Sequence, residues 1–238
     1  MKPRVWPRLI WAPLLLLALA LPLVACAADR SAQPLGCAAG TTPCLSGTAV
    51  VALETNRGRV LLRLDGKNAP LTAGNFVDLV RRGVYDGTVF HRVVREPVPF
   101  VVQGGDPASA NPSVPASQYG SGSFIDPSTG EARLIPLEIK RRQDLEPTYG
   151  KELTTPVITK ELVLNHQRGA LAMARAQDPN SASAQFYIAL EALPELDGRY
   201  AVFGQVIQGM EVVDAIRQGD KLVKAQLQEG GKLVKGQP

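Results

Sequence analysis

Apolar positions recur along this chain with two different periods. In residues 48–55 (TAVVALET) and 59–64 (RVLLRL) they alternate or run together for a few positions, with turn residues 56–58 between them, which predicts a β-hairpin. From Pro70 the spacing changes: Phe76, Leu79 and Val80 stand at i, i+3 and i+4, Pro70 suits a first helical turn, and Gly83 supplies a stop. Strand-like runs return at Val89, Phe90, Val93 and Val94, and at Phe100, Val101 and Val102 before the turn at Gly104 and Gly105. Further runs follow at 169–174, 185–190, 201–207 and 222–227, with a second helical pattern over 210–217. Many short strands and two helices predict an all-β fold: a closed antiparallel barrel of about eight strands with two capping helices, the first plugging an open end. In residues 184–190 (AQFYIAL) the strand period sends Gln185 and Tyr187 to one face and Phe186 and Ile188 to the other.

Two regions depart from this pattern. Residues 107–167 are crowded first with Ala, Ser, Pro and Gly and then with charge, an irregular connection in which only residues 135–140 (IPLEIK) read as a short strand. The N-terminus is the other: Lys2, Arg4 and Arg8 precede an uncharged apolar run, so residues 1–25 read as an export signal and not as part of the fold. Leu23, Val24, Ala25 and Cys26 resemble a bacterial lipobox, which makes Cys26 the expected lipidation site of a membrane-anchored lipoprotein facing an extracytoplasmic, periplasmic compartment. Residues 26–47, rich in small and polar residues, are expected to be a flexible tether, with the domain proper at 48–230 and a tail at 231–238. Cys37 and Cys44 lie in the tether, and in an oxidising compartment the default expectation is a disulfide between them.

Export changes the reading of charge. Three of the 26 basic residues fall within the signal, leaving 23 against 22 acidic ones, and no basic stripe with interleaved aromatics remains to suggest nucleic-acid binding. Only two histidines, His91 and His166, are present, with no zinc-type spacing around them, so neither a metal nor a cofactor is expected. Residues 120–124 (GSGSF) lack the spacing of a nucleophile elbow, which argues against a serine hydrolase.

The chemistry concentrates in residues 88–106 (TVFHRVVREPVPFVVQGGD), where Arg92 sits between two buried-looking runs and Gln103 closes the second. FHRVV and FVVQGGD, followed in order by RGALAMARA from Arg168, AQFYIAL, LDGRYAVFG from Leu196 and GMEVVDAI from Gly209, resemble the cyclophilin-type peptidyl-prolyl isomerases. The resemblance spans about residues 50–227. It implies catalysis by Arg92, Phe100 and Gln103, an apolar proline pocket of Phe100, Val101, Tyr187 and Leu196, and a peptide held by Gln103, Gln185 and the backbone at Ala174 and Arg175. Tyr200 stands where many relatives have histidine, and Glu195 where cyclosporin-sensitive relatives have tryptophan, which implies weak cyclosporin binding. Residues 93–99 number seven where the family usually has four, and the family's loop corresponding to 107–167 is shorter. The expected partners are proline-containing polypeptides, and the expected activity is folding assistance to exported chains. The alternative is a cyclophilin-shaped module that binds proline segments with little turnover.

Physics supports the implied chemistry. The bond before proline is a tertiary amide with a rotation barrier of about 18–20 kcal/mol, and a fixed donor to the prolyl nitrogen stabilises the twisted state over both planar ones. A guanidinium, permanently charged and rigidly forked, is such a donor.

Overall fold

The computed structural model describes residue 1, residues 36–37 and residues 42–235. The expected signal, the lipidation site Cys26 and most of the expected tether lie outside the described residues. All the described strands lie in one compact unit, within residues 34–238.

The elements in order are β1 (Cys44–Thr55), β2 (Gly58–Asp65), α1 (Pro70–Arg81), β3 (Arg92–Val94), β4 (Val101–Gly104), β5 (Glu138–Ile139), β6 (Thr148–Tyr149), α2 (Pro156–Thr159), β7 (Ala170–Met173), β8 (Phe186–Ala189), β9 (Val202–Gln208), α3 (Met210–Ala215) and β10 (Leu222–Val234). Eight of them form one antiparallel sheet in the order β10-β1-β2-β9-β7-β8-β4-β3, as the all-β expectation required. The sheet ends, β3 and β10, do not pair as strands. Residues just ahead of each are stitched instead: Val89 bridges Lys221, and the Phe90 N–H donates to the Asp220 carbonyl at 2.8 Å. The curl is therefore joined by a short bridge and not by a full ladder.

Alternation explains which side is filled. Val60, Leu62 and Leu64 of β2 point inward and are fully buried, while Arg63 between them is exposed. Phe76, Leu79 and Val80 bring one face of α1 into the same core, where the Phe76 ring lies 4.9 Å from Tyr85, 5.4 Å from Phe186 and 5.2 Å from Phe203. A smaller apolar cluster forms on the other face of the sheet from Val101, Ala172, Tyr187, Ala189, Leu193 and Val202. β8 contributes to both: Phe186 and Ile188 enter the core, and Tyr187 enters the second cluster.

The structure moves two boundaries. β1 starts at Cys44 and not at residue 48, and β10 runs to Val234 and not to residue 227. Cys44 pairs with Val234, Leu45 with Leu233 and Ser46 with Lys232, so part of the expected tether and part of the expected tail are strand. The pairing is offset between Ser46 and Ala49, opposite Gly230, whose φ of 67° and closeness to the Thr48 carbonyl leave no room for a Cβ. Cys37 and Cys44 are joined in a disulfide, which ties the chain ahead of β1 to its first residue.

Residues 107–167, irregular in sequence, are ordered by buried polar contacts. Asp106 accepts the N–H groups of Ala108 and Gly120 and fixes the first loop. Arg133 bridges Asp78 on α1 and Asp126, lying over Phe124 at 4.7 Å. Glu138 on β5, 1% exposed, accepts the N–H groups of Leu71 and Thr72 at 3.0 and 2.8 Å. Since Ala69 offers α1 no side-chain cap, the insertion supplies the acceptor that the first turn of α1 lacks.

Candidate functional site

Strand register assembles the site. Arg92 of β3 stands opposite Gln103 of β4, Gln103 opposite Tyr187 of β8, and Tyr187 opposite Ala172 of β7. Residues directly opposite in a sheet share a face. Four residues from four separate segments therefore line up on the outer face, along a groove beside the second apolar cluster.

Side-chain contacts continue this row. An Arg92 guanidinium N–H donates to Gln103 Oε1 at 3.3 Å, and Gln103 Nε2 donates to Gln185 Oε1 at 3.3 Å. Gln185 Nε2 donates to the carbonyls of Gly120 and Gly122 at 3.0 and 2.9 Å, so the first loop of the insertion borders the groove. Arg92 is exposed, makes no ion pair among the described residues, and stands 5.6 Å from the centroid of the Phe100 ring.

The seven residues before Phe100 do not displace it. Its N–H donates to the Val94 carbonyl at 3.0 Å, while Arg95 is anchored on the carbonyls of Val213 and Ile216 and residues 96–99 project outward. Phe100 consequently reaches a cavity of about 230 Å³ lined by Arg92, Phe100, Val101, Gln103, Ala174, Arg175, Tyr187, Leu196 and Tyr200. An adjoining recess of about 250 Å³ holds Gln185 and shares Gln103, Ala174 and Arg175. The ten candidate residues other than the cysteines thus meet in one groove. A larger recess of about 410 Å³, between β2, β9 and residues 163–168, contains none of these ten residues.

Two of these residues differ in detail from expectation. The Ala174 N–H is already used by the Gln185 carbonyl. The Arg175 side chain is folded away from solvent, 6% exposed: it pairs with Glu152 of the insertion, donates to the Arg199 carbonyl, and lies 4.9 Å over the Tyr200 ring. The insertion therefore reaches Tyr200 through Arg175. His91 packs against Gly120 of the loop that borders the groove. Burial lowers its pKa, so a neutral ring is favoured there.

Sequence reasoning passed over His166, Asp197 and Glu152. His166 Nε2 lies 2.8 Å from the Tyr187 hydroxyl, and its Nδ1 lies 2.8 Å from Asp197 Oδ1. Burial pushes the Tyr187 hydroxyl well above its ordinary pKa, which keeps it protonated. A histidine shortly after the apolar run Leu162–Leu164 was the available signal; its partners are 21 and 31 positions away and leave no local pattern.

Comparisons with known proteins agree with this geometry. The model of the cyclophilin type peptidyl-prolyl cis-trans isomerase/CLD family matches residues 50–234. The chain is 41% identical over 205 residues to a putative thylakoid lumen peptidyl-prolyl cis-trans isomerase of Synechocystis sp., covering 82% of this chain and 51% of that protein. The chain thus spans about half the length of that relative. It is 32% identical over 178 residues to a peptidyl-prolyl cis-trans isomerase of Helicobacter pylori, covering 74% of this chain and 85% of that one. Among solved structures, a Cryptosporidium parvum cyclophilin type isomerase crystallised in the presence of the dipeptide Ala-Pro superposes with a TM-score of 0.55 at 25% identity, covering 76% of this chain and 99% of that one.

Proposed function

The chain belongs to the cyclophilin-type peptidyl-prolyl cis-trans isomerase family, and from that membership and the geometry of the groove we propose that it catalyses rotation about X-Pro bonds in exported polypeptides. The observation that carries this reading is the row Arg92, Gln103, Tyr187 set beside Phe100, which places a free cationic donor at the mouth of an apolar cavity.

In this mechanism the proline ring enters the cavity between Phe100, Val101, Tyr187 and Leu196, where desolvating apolar surface favours binding. Gln103 holds one guanidinium N–H of Arg92, leaving its other donors for the prolyl nitrogen. As the amide twists, that nitrogen loses conjugation, pyramidalises and gains basicity, so the bond from Arg92 strengthens only in the twisted state. Nothing is transferred, and no covalent intermediate forms. Gln185, the Ala174 carbonyl and the backbone at Arg175 hold the flanking peptide in the adjoining recess. A bound segment that is gripped on both sides of the rotating bond pays its orientational entropy before the rotation starts.

The seating of Phe100 in the cavity despite the longer preceding loop favours turnover over passive binding. Protease-coupled cleavage of a short X-Pro peptide tests the reading: the protein should accelerate cis-to-trans conversion. Binding of the peptide without acceleration would replace the enzyme with a recognition module.

The same reading places the protein outside the cytoplasm. Its support is the uncharged apolar run that follows Lys2, Arg4 and Arg8 within the first 25 residues, the Cys37–Cys44 disulfide and the thylakoid lumen relative. We assign lipidation to Cys26, giving a membrane-anchored protein in a periplasm-like compartment; among the described residues no helix is long and apolar enough to cross a membrane. The wild type should then partition into detergent, and Cys26→Ser into the aqueous phase or the unprocessed fraction. A wild type found soluble with a free N-terminus would remove the anchor from the account.

A further inference from the structure

The hydroxyl of Tyr187 has no part in the chemistry described above, yet it is one of the most constrained groups near the groove. The residue is 4% exposed, and its hydroxyl faces His166, itself 1% exposed, 2.8 Å from Nε2. On the other side of the imidazole, Nδ1 meets Asp197 Oδ1 at 2.8 Å. An ionised carboxylate only accepts hydrogen bonds, so Nδ1 carries the hydrogen and Nε2 is left to accept from the tyrosine. The donors run in one direction, from Tyr187 to His166 to Asp197.

The arrangement braces two walls of the proline cavity at once. The imidazole lies nearly parallel to the Tyr187 ring, 12° between planes and 5.9 Å between centroids, while Tyr200 meets that ring edge-on at 83°. The backbone of His166 grips the turn that carries Leu196: its N–H donates to Asp197 Oδ1 at 2.7 Å, and its carbonyl accepts the Leu193 N–H at 2.8 Å. Pocket wall and pocket rim are thus referenced to one residue that substrate does not touch. An apolar wall alone would need only a phenylalanine, whereas a buried hydroxyl is tolerated because it is bonded, and the bond restricts the ring.

We propose that His166 and Asp197 are a positioning pair that fixes the ring plane of Tyr187 and thereby sets the affinity of the cavity for the proline ring. The inference rests on the isomerase reading of the groove. Because Tyr187 meets the proline ring and not the rotating amide, losing the pair weakens binding more than it slows the bound-state rotation.

The test compares His166→Leu, Tyr187→Phe and the double variant in the full-length protein. KM and kcat come from protease-coupled turnover of one X-Pro peptide, and its dissociation constant from NMR titration, which needs no turnover. His166→Leu should raise KM and the dissociation constant by about three- to tenfold, the range one hydrogen bond is worth, with kcat changed less than about twofold. In the Tyr187→Phe background the same substitution should add no further rise, since the group being positioned is gone and the backbone bonds of residue 166 to the Leu196 turn remain. An equal rise in both backgrounds, or a fall in kcat at constant KM, would overturn the proposal. If His166→Leu does not fold, nitrogen-15 spectra of the wild-type imidazole decide: Nδ1 protonated with Nε2 bare supports the pair, and the opposite tautomer overturns it. Absence of turnover in the wild type would fail the isomerase reading alone, leaving the dissociation constants and the tautomer to judge the pair.

Discussion

Replacing Glu138 tests whether the insertion is built into the barrel or merely tolerated on it. Glu138→Ala strips the acceptor from two N–H groups, those of Leu71 and Thr72, at a site 1% exposed, and α1 has no side-chain cap of its own to take over. A buried unpaired donor costs about 1–3 kcal/mol, so the pair comes to about 2–6 kcal/mol, against about 5–15 kcal/mol for the stability of a whole domain. Glu138→Gln keeps the volume and one acceptor oxygen, and its loss should be roughly half as large. Urea unfolding with the disulfide intact measures both, as a shift in midpoint at unchanged slope. The pH dependence adds a signed check. Burial raises the Glu138 carboxyl above its ordinary pKa of 4.5, with the N–H groups of Thr72 and Leu71 and the Tyr149 hydroxyl opposing. A folded pKa above the unfolded one means a contribution that is complete below pH 4.5 and falls as pH rises through the folded value. The advantage of wild type over Glu138→Gln should therefore narrow from acid toward neutral pH. A loss below about 1 kcal/mol in Glu138→Ala, or a gap that widens with pH, would refute the reasoning.

Two further outcomes follow from the geometry. Asp220, bonded to Arg57 at 2.7 Å, has its carboxyl held down to about 2, so its contribution is present above pH 3.8 and lost as pH falls toward 2; the melting temperature should drop more steeply there in wild type than in Asp220→Asn. Glu195 is exposed beside Leu196 at the cavity rim, where a carboxylate must be partly desolvated by an apolar ligand, so Glu195→Trp should tighten cyclosporin inhibition while leaving peptide turnover little changed. Unchanged drug affinity in that variant would assign control of access to the insertion.

Features that depend on local period were legible in the sequence. Phe76, Leu79 and Val80 mark the buried face of α1, and the alternation through Gln185, Phe186 and Tyr187 assigns those side chains to the groove and the core correctly. Features that depend on long-range partners were not. Leu45 and Leu233 look like stray apolar residues until 188 positions of chain bring them opposite each other, and Gly230 reads as loop until it takes up an offset in the ladder. The insertion misleads for a related reason. Its order comes from single buried or half-buried polar residues, Asp106, Arg133 and Glu138, whose partners lie far along the chain, and a lone charge carries no periodic signal. His166 is hidden in the same way, since what distinguishes it is the 2.8 Å contact to Tyr187.

Arg92 carries the central claim, and its replacement is the most direct measurement. The side chain is exposed and makes one hydrogen bond at 3.3 Å, to Gln103, so Arg92→Ala should fold with wild-type stability. Its kcat/KM on a short X-Pro peptide should fall by about 10²- to 10³-fold, the effect of removing one preorganised donor to a transition state. Arg92→Lys should recover only part of that loss, because an ammonium lacks the planar fork. Undiminished turnover in Arg92→Ala would contradict the account.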